Sequence, residues 1–165
     1  MSLTIERDTL IKEWLKEAEN MINESVNNEL EIETKSDRSD FVTNMDRSIE
    51  EILVQKIRAV YPNDKIVSEE GFGDDPTNID MSEDTVWILD PIDGTMNFVV
   101  QDENYCVMLA IFEKNVGMQA YVFDVSQDNL YWAIKGKGVY CNDELLPKIK
   151  NASLRDGLFA SNTKF

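Results

Sequence analysis

Tyr105 to Asn142 reads YCVMLAIFEKNVGMQAYVFDVSQDNLYWAIKGKGVYCN. It divides into four runs that are apolar or alternate in polarity: Tyr105 to Glu113, Gly117 to Asp124, Asn129 to Ile134 and Gly138 to Cys141. Between them stand turn-forming residues, Lys114-Asn115, Ser126 to Asp128 and Gly136-Lys137-Gly138. A period of two marks strands, and connections this short return the chain alongside itself, so a largely antiparallel meander is predicted. Gly136 and Gly138 are read as hairpin residues rather than as parts of a site, because tight turns use the positive φ that glycine tolerates.

Upstream, Thr85 to Leu89 (TVWIL) and Lys65 to Ser68 are short apolar runs bounded by polar loops, and both are predicted as buried strands. Before Pro62 the period changes to 3.6. From Ile5 to about Asn28 the apolar residues Leu10, Ile11, Trp14, Leu15, Ala18, Met21 and Ile22 recur at steps of three and four, with Lys12, Glu13, Lys16, Glu17 and Glu19 opposite. A second helix begins at Thr43, carries Met45, Ile49, Ile52, Leu53, Ile57 and Val60 on one face, and is stopped by Pro62. Asn27 to Asp40 lacks a period and is expected to be a mobile loop, with one short strand at Leu30 to Thr34. Helices first and strands after argue an α+β fold, the helices layered against the sheet. At the other end, Gly157 to Ala160 reads as a strand, and the natural chain is expected to continue past Phe165 and cover it.

The 165 residues are 42% hydrophobic and 29% charged, enough apolar chain for the core of one domain. Thirty-two Asp and Glu against sixteen Lys and Arg give a formal charge of −16. That field repels phosphate backbones and anionic headgroups, so neither nucleic acid nor a membrane is an expected partner. Histidine is absent, which excludes Ser-His-Asp triads, Cys-His pairs, the usual catalytic zinc sites and a histidine base. Cys106 and Cys141 form no CxxC and are read as reduced thiols. Tyr105 to Phe112 is too short to span a bilayer, and MSLTIERDTL carries acids where a signal or transit peptide would not. A soluble cytoplasmic protein is expected.

The charge is concentrated: residues 61–104 hold twelve acids and one lysine. Such a stretch either splays its carboxylates into solvent or places cations among them. Two strings within it put acids where strands meet loops, Val67-Ser68-Glu69-Glu70-Gly71 and Trp87-Ile88-Leu89-Asp90-Pro91-Ile92-Asp93-Gly94-Thr95-Met96-Asn97-Phe98. Pro91 is predicted to turn the chain sharply, letting Asp93 point back to the space Asp90 faces. Oxygen ligands with no histidine or cysteine beside them select hard ions such as Mg²⁺ or Mn²⁺, and the Ile92 carbonyl is a further candidate ligand. Gly94 and Thr95 are predicted to open a short helix through Asn97 and Phe98, whose first N–H groups suit an anion. A bare PxDG is also an ordinary turn, and Asp46, three residues after Thr43, also fits a capping box. Glu70 reads equally well as a solvated surface acid.

WILDPIDGTMNF resembles the principal signature of the Mg²⁺-dependent, lithium-sensitive inositol monophosphatases. Ser68-Glu69-Glu70-Gly71 resembles their upstream metal-ligand motif, Phe41-Val42-Thr43-Asn44-Met45-Asp46 their entry to the second helix, and Gly136 to Asn142 (GKGVYCN) their GxGA(F/Y)xN hairpin. The similarity runs in order from Leu10 to about Asn142. It implies a layered αβαβα sandwich of the sugar-phosphatase type, of which residues 1–165 are the N-terminal helix-and-antiparallel-sheet portion and a C-terminal α/β portion is absent. By the same resemblance Glu69, Asp90, the Ile92 carbonyl and Asp93 hold Mg²⁺, two or three ions with Mn²⁺ or Ca²⁺ as substitutes, and Glu70 supports the ligand beside it. Asp90 bridges two ions. Gly94 and Thr95 grip phosphate through their N–H groups next to Asp93, and Thr95 with Asp46 orients the attacking water, which Glu69 also holds.

The implied reaction is hydrolysis of a small phosphate monoester, inositol monophosphate first, by a homodimeric cytoplasmic enzyme. Fructose 1,6-bisphosphate, a 3′-phosphoadenosine nucleotide or NADP are alternative substrates, and a non-catalytic metal-binding regulator is the alternative class. Val99-Val100-Gln101-Asp102-Glu103-Asn104 replaces the family's His and Phe-Pro turn, and Met96 replaces a common Thr. The family's downstream WDxAAG motif, with its further aspartate, is missing from these residues. They are therefore expected to bind the first cation weakly and release phosphate negligibly. Asn27 to Asp40 is expected to settle over the site when metal binds.

Overall fold

A computed structural model describes residues 3–25, 32–34, 41–149, 153 and 155. In chain order it contains α1 (Leu3–Ser25), β1 (Ile32–Thr34), β2 (Phe41–Thr43), α2 (Asn44–Val60), β3 (Lys65–Ser68), a 3-10 turn at Pro76–Asn78 and β4 (Thr85–Asp93). There follow α3 (Thr95–Gln101), β5 (Cys106–Glu113), β6 (Val116–Asp124), β7 (Asn129–Ile134), β8 (Gly138–Cys141) and β9 (Glu144–Leu145). The architecture is mixed α+β, as the segment order implied. Of the expected loop Asn27 to Asp40, only Ile32–Thr34 is described, and it pairs with β2. Gly157 to Ala160 lies outside the described residues.

One sheet runs in the order β3-β4-β5-β6-β7-β8-β9. Every neighbouring pair is antiparallel except β3 and β4, which are parallel from Lys65↔Val86 to Ser68↔Leu89. Tight turns make the meander, with Gly136 (φ +81°) and Gly138 (φ +117°) in the left-handed region at the β7–β8 hairpin. The parallel pair matters more for the site. Because the two run in the same direction, the residue after Ser68 emerges beside the residue after Leu89, and Glu69 meets Asp90.

The two long helices cover one face. Ile11, Trp14, Leu15, Ala18 and Ile22 of α1, Ile49, Leu53, Val54 and Ile57 of α2, and Trp87, Leu89, Val107, Leu109, Ile111, Tyr121 and Phe123 of the sheet form one buried cluster. Residues between those on the strands, such as Ile88 and Val122, are 39% and 37% exposed. Trp87 is fully buried against Trp14, Tyr61 and the Arg7 guanidinium, and its indole N–H donates to Asp64 at 2.8 Å. Arg7, itself buried, ion-pairs with Glu113 at 2.8 Å.

Two assignments of helix faces need correction. Glu19 is buried and held by Lys16 at 2.5 Å, because α1 is covered along more than its apolar stripe. Val60 is exposed while Val54 takes a place in the core.

Candidate metal centre

The chain does not turn at Pro91. β4 continues through Asp93, with Pro91 and Ile92 buried, and the irregularity falls between Asp90 and Asp93. Asp90 pairs with Met108 and Asp93 with Cys106, so three steps on β4 match two on β5. In a regular strand residues three apart point to opposite faces. One extra residue puts both aspartates on the face that carries Met108 and Cys106, and a bulge is a place where a strand tolerates proline. The convergence foreseen from a turn is achieved by a register shift.

The turn comes at Gly94, whose φ of +88° favours glycine and where a Cβ would lie 3.0 Å from the Asn104 carbonyl. The Asn97 amide donates to that same carbonyl at 2.9 Å, fastening the loop before β5 against the start of α3. Helix α3 then begins at Thr95, as expected.

Helix α2 supplies the second wall. Thr43 caps it, and the Asp46 Oδ2 accepts from the Thr43 N–H at 3.0 Å and from the Thr43 hydroxyl, a complete capping box. The bland reading of Asp46 is therefore true, and so is contact with the site: its Oδ1 lies 3.0 Å from the Thr95 hydroxyl. That hydroxyl lies 3.0 Å from the Ile92 carbonyl as well, and its single proton serves one acceptor at a time. Burial pushes the Asp46 carboxyl above the usual range, against the pull of the bonds from Thr43 and Thr95.

Asp90 is the electrostatic centre. Burial first, then the charges of Glu69 and Asp93, a hydrogen bond with Glu69 and the charge of Asp46 push its carboxyl up to about 7. Its Oδ1 is buried with no hydrogen-bond partner among the described residues. A carboxylate crowded by two others, with one oxygen unpaired, fits a divalent cation, whose charge reverses each of these penalties. Among the described residues no three acidic side chains are drawn into a ready-made cage. Burial, with Asp93 and Asp90 beside it, also pushes the Cys106 thiol up to about 11, and its Sγ lies 3.9 Å from Asp93 Oδ2. Both cysteines are free, as expected.

The sign of the pH dependence follows. An acid whose folded pKa lies above its unfolded value of about 4 adds stability only while protonated, so the contribution is lost as pH rises toward about 7. The cation-free chain, in chelator, should melt at a lower temperature at about pH 8 than at about pH 5, and Mg²⁺ should restore more at the higher pH. A melting temperature flat across this window would argue against the crowded carboxylates.

Sequence reasoning missed Glu50. It is fully buried, and its carboxylate accepts from Ser68 Oγ at 2.6 Å, from the Glu70 N–H at 2.6 Å and from the Phe72 N–H at 2.9 Å. An acid between Ile49 and Leu53 on the apolar side of an amphipathic helix was the available signal.

The model of the inositol monophosphatase family matches residues 6–165. An inositol-1-monophosphatase of Bacillus subtilis strain 168 is 40% identical over 157 residues, covering 95% of this chain and 58% of that protein. A crystal structure of an IMPase/NADP phosphatase complexed with NADP and Ca²⁺ superposes with a TM-score of 0.84 at 35% identity, over 94% of this chain and 58% of that one. Another, an IMPase/NADP phosphatase complexed with Mg²⁺ and phosphate, gives a TM-score of 0.78 at 37% identity, over 87% and 53%. The chain thus spans somewhat over half the length of these relatives.

Proposed function

Because the chain belongs to the inositol monophosphatase family, we propose that it carries the cation- and water-handling part of an enzyme that hydrolyses a small phosphate monoester. The observation that carries this is the crowding of Asp90 by Glu69 and Asp93 beside the Thr95–Asp46 pair. Glu69, Asp90, the Ile92 carbonyl and Asp93 would hold Mg²⁺, two or three ions in all. Such ions, when bound, neutralise phosphate, acidify water and stabilise a departing alkoxide. The chain's own groups do the rest. Thr95 donates its hydroxyl hydrogen bond to Asp46, which leaves the Thr95 oxygen lone pairs to accept a hydrogen bond from a nucleophilic water and hold it in line with phosphorus. Glu69 would accept a hydrogen bond from the water's other hydrogen. The N–H groups of Gly94 and Thr95 suit the phosphate oxygens, and α3 begins there.

Inositol monophosphate is the first substrate proposed, with lithium inhibition, a homodimer and a cytoplasmic setting as the family resemblance implies. NADP is the second, favoured by the solved relative complexed with it. Residues 1–165 are proposed to be the N-terminal α+β portion of a larger domain whose C-terminal α/β portion adds a further aspartate. The fraction of its relatives that the chain spans supports this. A phosphate-release panel on protein of the relatives' length tests the reading, using inositol monophosphate, NADP, fructose 1,6-bisphosphate and a 3′-phosphoadenosine nucleotide in Mg²⁺ with and without lithium. No release from any of them by a folded, cation-binding protein would leave a non-catalytic regulator.

Thr95→Ala should slow phosphate release by about a hundredfold, the scale of one positioned proton acceptor, with cation affinity nearly unchanged. Loss of cation binding in this variant would show that the roles of Thr95 and the aspartates are misassigned.

A further inference from the structure

Glu50 and Asp46 lie four residues apart on α2, so one turn of helix presents both carboxylates to the same side. Asp46 reaches Thr95. Glu50 reaches across to the turn that follows β3, where three donors meet it: the Ser68 hydroxyl and the N–H groups of Glu70 and Phe72. Ser68 extends the grip, because its Oγ accepts the Gly73 N–H at 2.9 Å while donating to Glu50 at 2.6 Å. One buried carboxylate thus gathers, directly or through Ser68, the backbone N–H groups on both sides of Gly71, whose own φ is +89°. The turn is packed as tightly as it is bonded. A Cβ on Gly73 would lie 2.6 Å from the Ile66 carbonyl oxygen and 2.8 Å from Ser68 Oγ.

Glu69 stands inside this turn, between Ser68 and Glu70. A side chain on a loop reaches an ion with the right geometry only if the loop is held, and the neighbours that hold it set the affinity. We propose that Glu50 is a positioning residue for the cation site. It fixes the Ser68–Gly73 turn so that Glu69 faces Asp90, and with Asp46 it makes α2 a single rod that sets both the Glu69 turn and the Thr95 hydroxyl. The inference rests on the cation reading of Glu69 and Asp90 given above.

The chemistry singles out a carboxylate. Both oxygens of Glu50 accept, whereas a glutamine would place an NH₂ against the Glu70 N–H in one orientation or against the Phe72 N–H in the other. Glu50→Gln therefore keeps size and burial but leaves one turn N–H facing another donor.

The test is Mn²⁺ titration of protein of the relatives' length, followed by the electron paramagnetic resonance of free Mn²⁺, in wild type, Glu50→Gln and Ser68→Ala. Far-UV circular dichroism is recorded on each to show that the chain is folded at the titration temperature. Glu50→Gln should weaken Mn²⁺ binding by about tenfold to a hundredfold, and Ser68→Ala by about threefold to tenfold, both with a native spectrum. A residue that served stability alone would shift the melting temperature and leave the affinity of the folded chain unmoved. Unchanged affinity in a folded Glu50→Gln overturns the proposal. If Glu50→Gln does not fold, Ser68→Ala decides, and unchanged affinity there overturns it equally. A wild-type chain that takes up no Mn²⁺ overturns the cation reading itself, an outcome distinct from uptake that is equal in all three.

Discussion

Asp90→Asn, made in protein of the relatives' length, should remove cation-dependent phosphate release and at the same time make the cation-free protein more stable at neutral pH. The two effects have one origin. Asp90 carries a carboxyl pushed up to about 7 by burial and by Glu69 and Asp93, so its charge is resisted by its surroundings unless a cation is present. Asparagine relieves that resistance. Allowing for solvent around a half-buried group, the gain is about 1 kcal/mol, a rise of a few degrees in melting temperature. The same change takes a charged ligand from the place where the acids converge. A bound cation supplies several kcal/mol of transition-state stabilisation, so the loss of rate should be on the order of a thousandfold or more. Calorimetry in chelator and phosphate release in Mg²⁺ measure the two signs separately. A variant that is both active and less stable would show that Asp90 is an ordinary structural acid.

Trp87→Ala should cost about 4 kcal/mol, the range for truncating a fully buried large aromatic. Trp87 sits in mid-β4, paired with Ile66 on one side and Ile111 on the other. Its ring packs on Trp14 of α1 and on Tyr61 just after α2, centroids 6.3 and 5.3 Å away. Truncation opens a cavity where both helices meet the sheet and leaves Asp64 without the indole N–H. Domains of this size have a net stability of about 5–15 kcal/mol, so the variant should be marginal in urea denaturation followed by circular dichroism. Trp87→Phe, which keeps most of the volume, should cost much less. A loss below about 1 kcal/mol for alanine would move the centre of the core elsewhere.

The strands of the meander were legible because period two and short turns act locally, and Lys65–Ser68 and Asn129–Ile134 fall where their residues placed them. β4 beyond Leu89 was not. Asp-Pro-Ile-Asp has no apolar alternation, and its extended form is imposed by pairing with β5, a contact the local text does not contain. The parallel direction of β3 against β4 was hidden for the same reason, since a run of apolar residues carries no direction. In the site, Glu69, Asp90 and Asp93 were singled out from motif and spacing and Asp46 with Thr95 by the family resemblance, and the chain brings Glu69 and Asp93 to Asp90 and Asp46 to Thr95. Glu50 was passed over because residue type puts an acid outside. Only its three donors, eighteen to twenty-two residues away, justify its burial.

The register at the end of β4 also separates two kinds of constraint on the chain. Asp90, Asp93 and Cys106 stand on the face of the sheet that α1 and α2 leave uncovered, while Leu89, Val107 and Leu109 point into the helices. Drift on the helical side is policed by folding: a change there is felt as lost packing whatever the protein acts on. On the other side a residue such as Ile88 or Val122 answers only to what is stacked against it. The acids share that uncovered face with Ile88, so the side of the sheet that holds the candidate cation ligands is the side that packing against the helices constrains least.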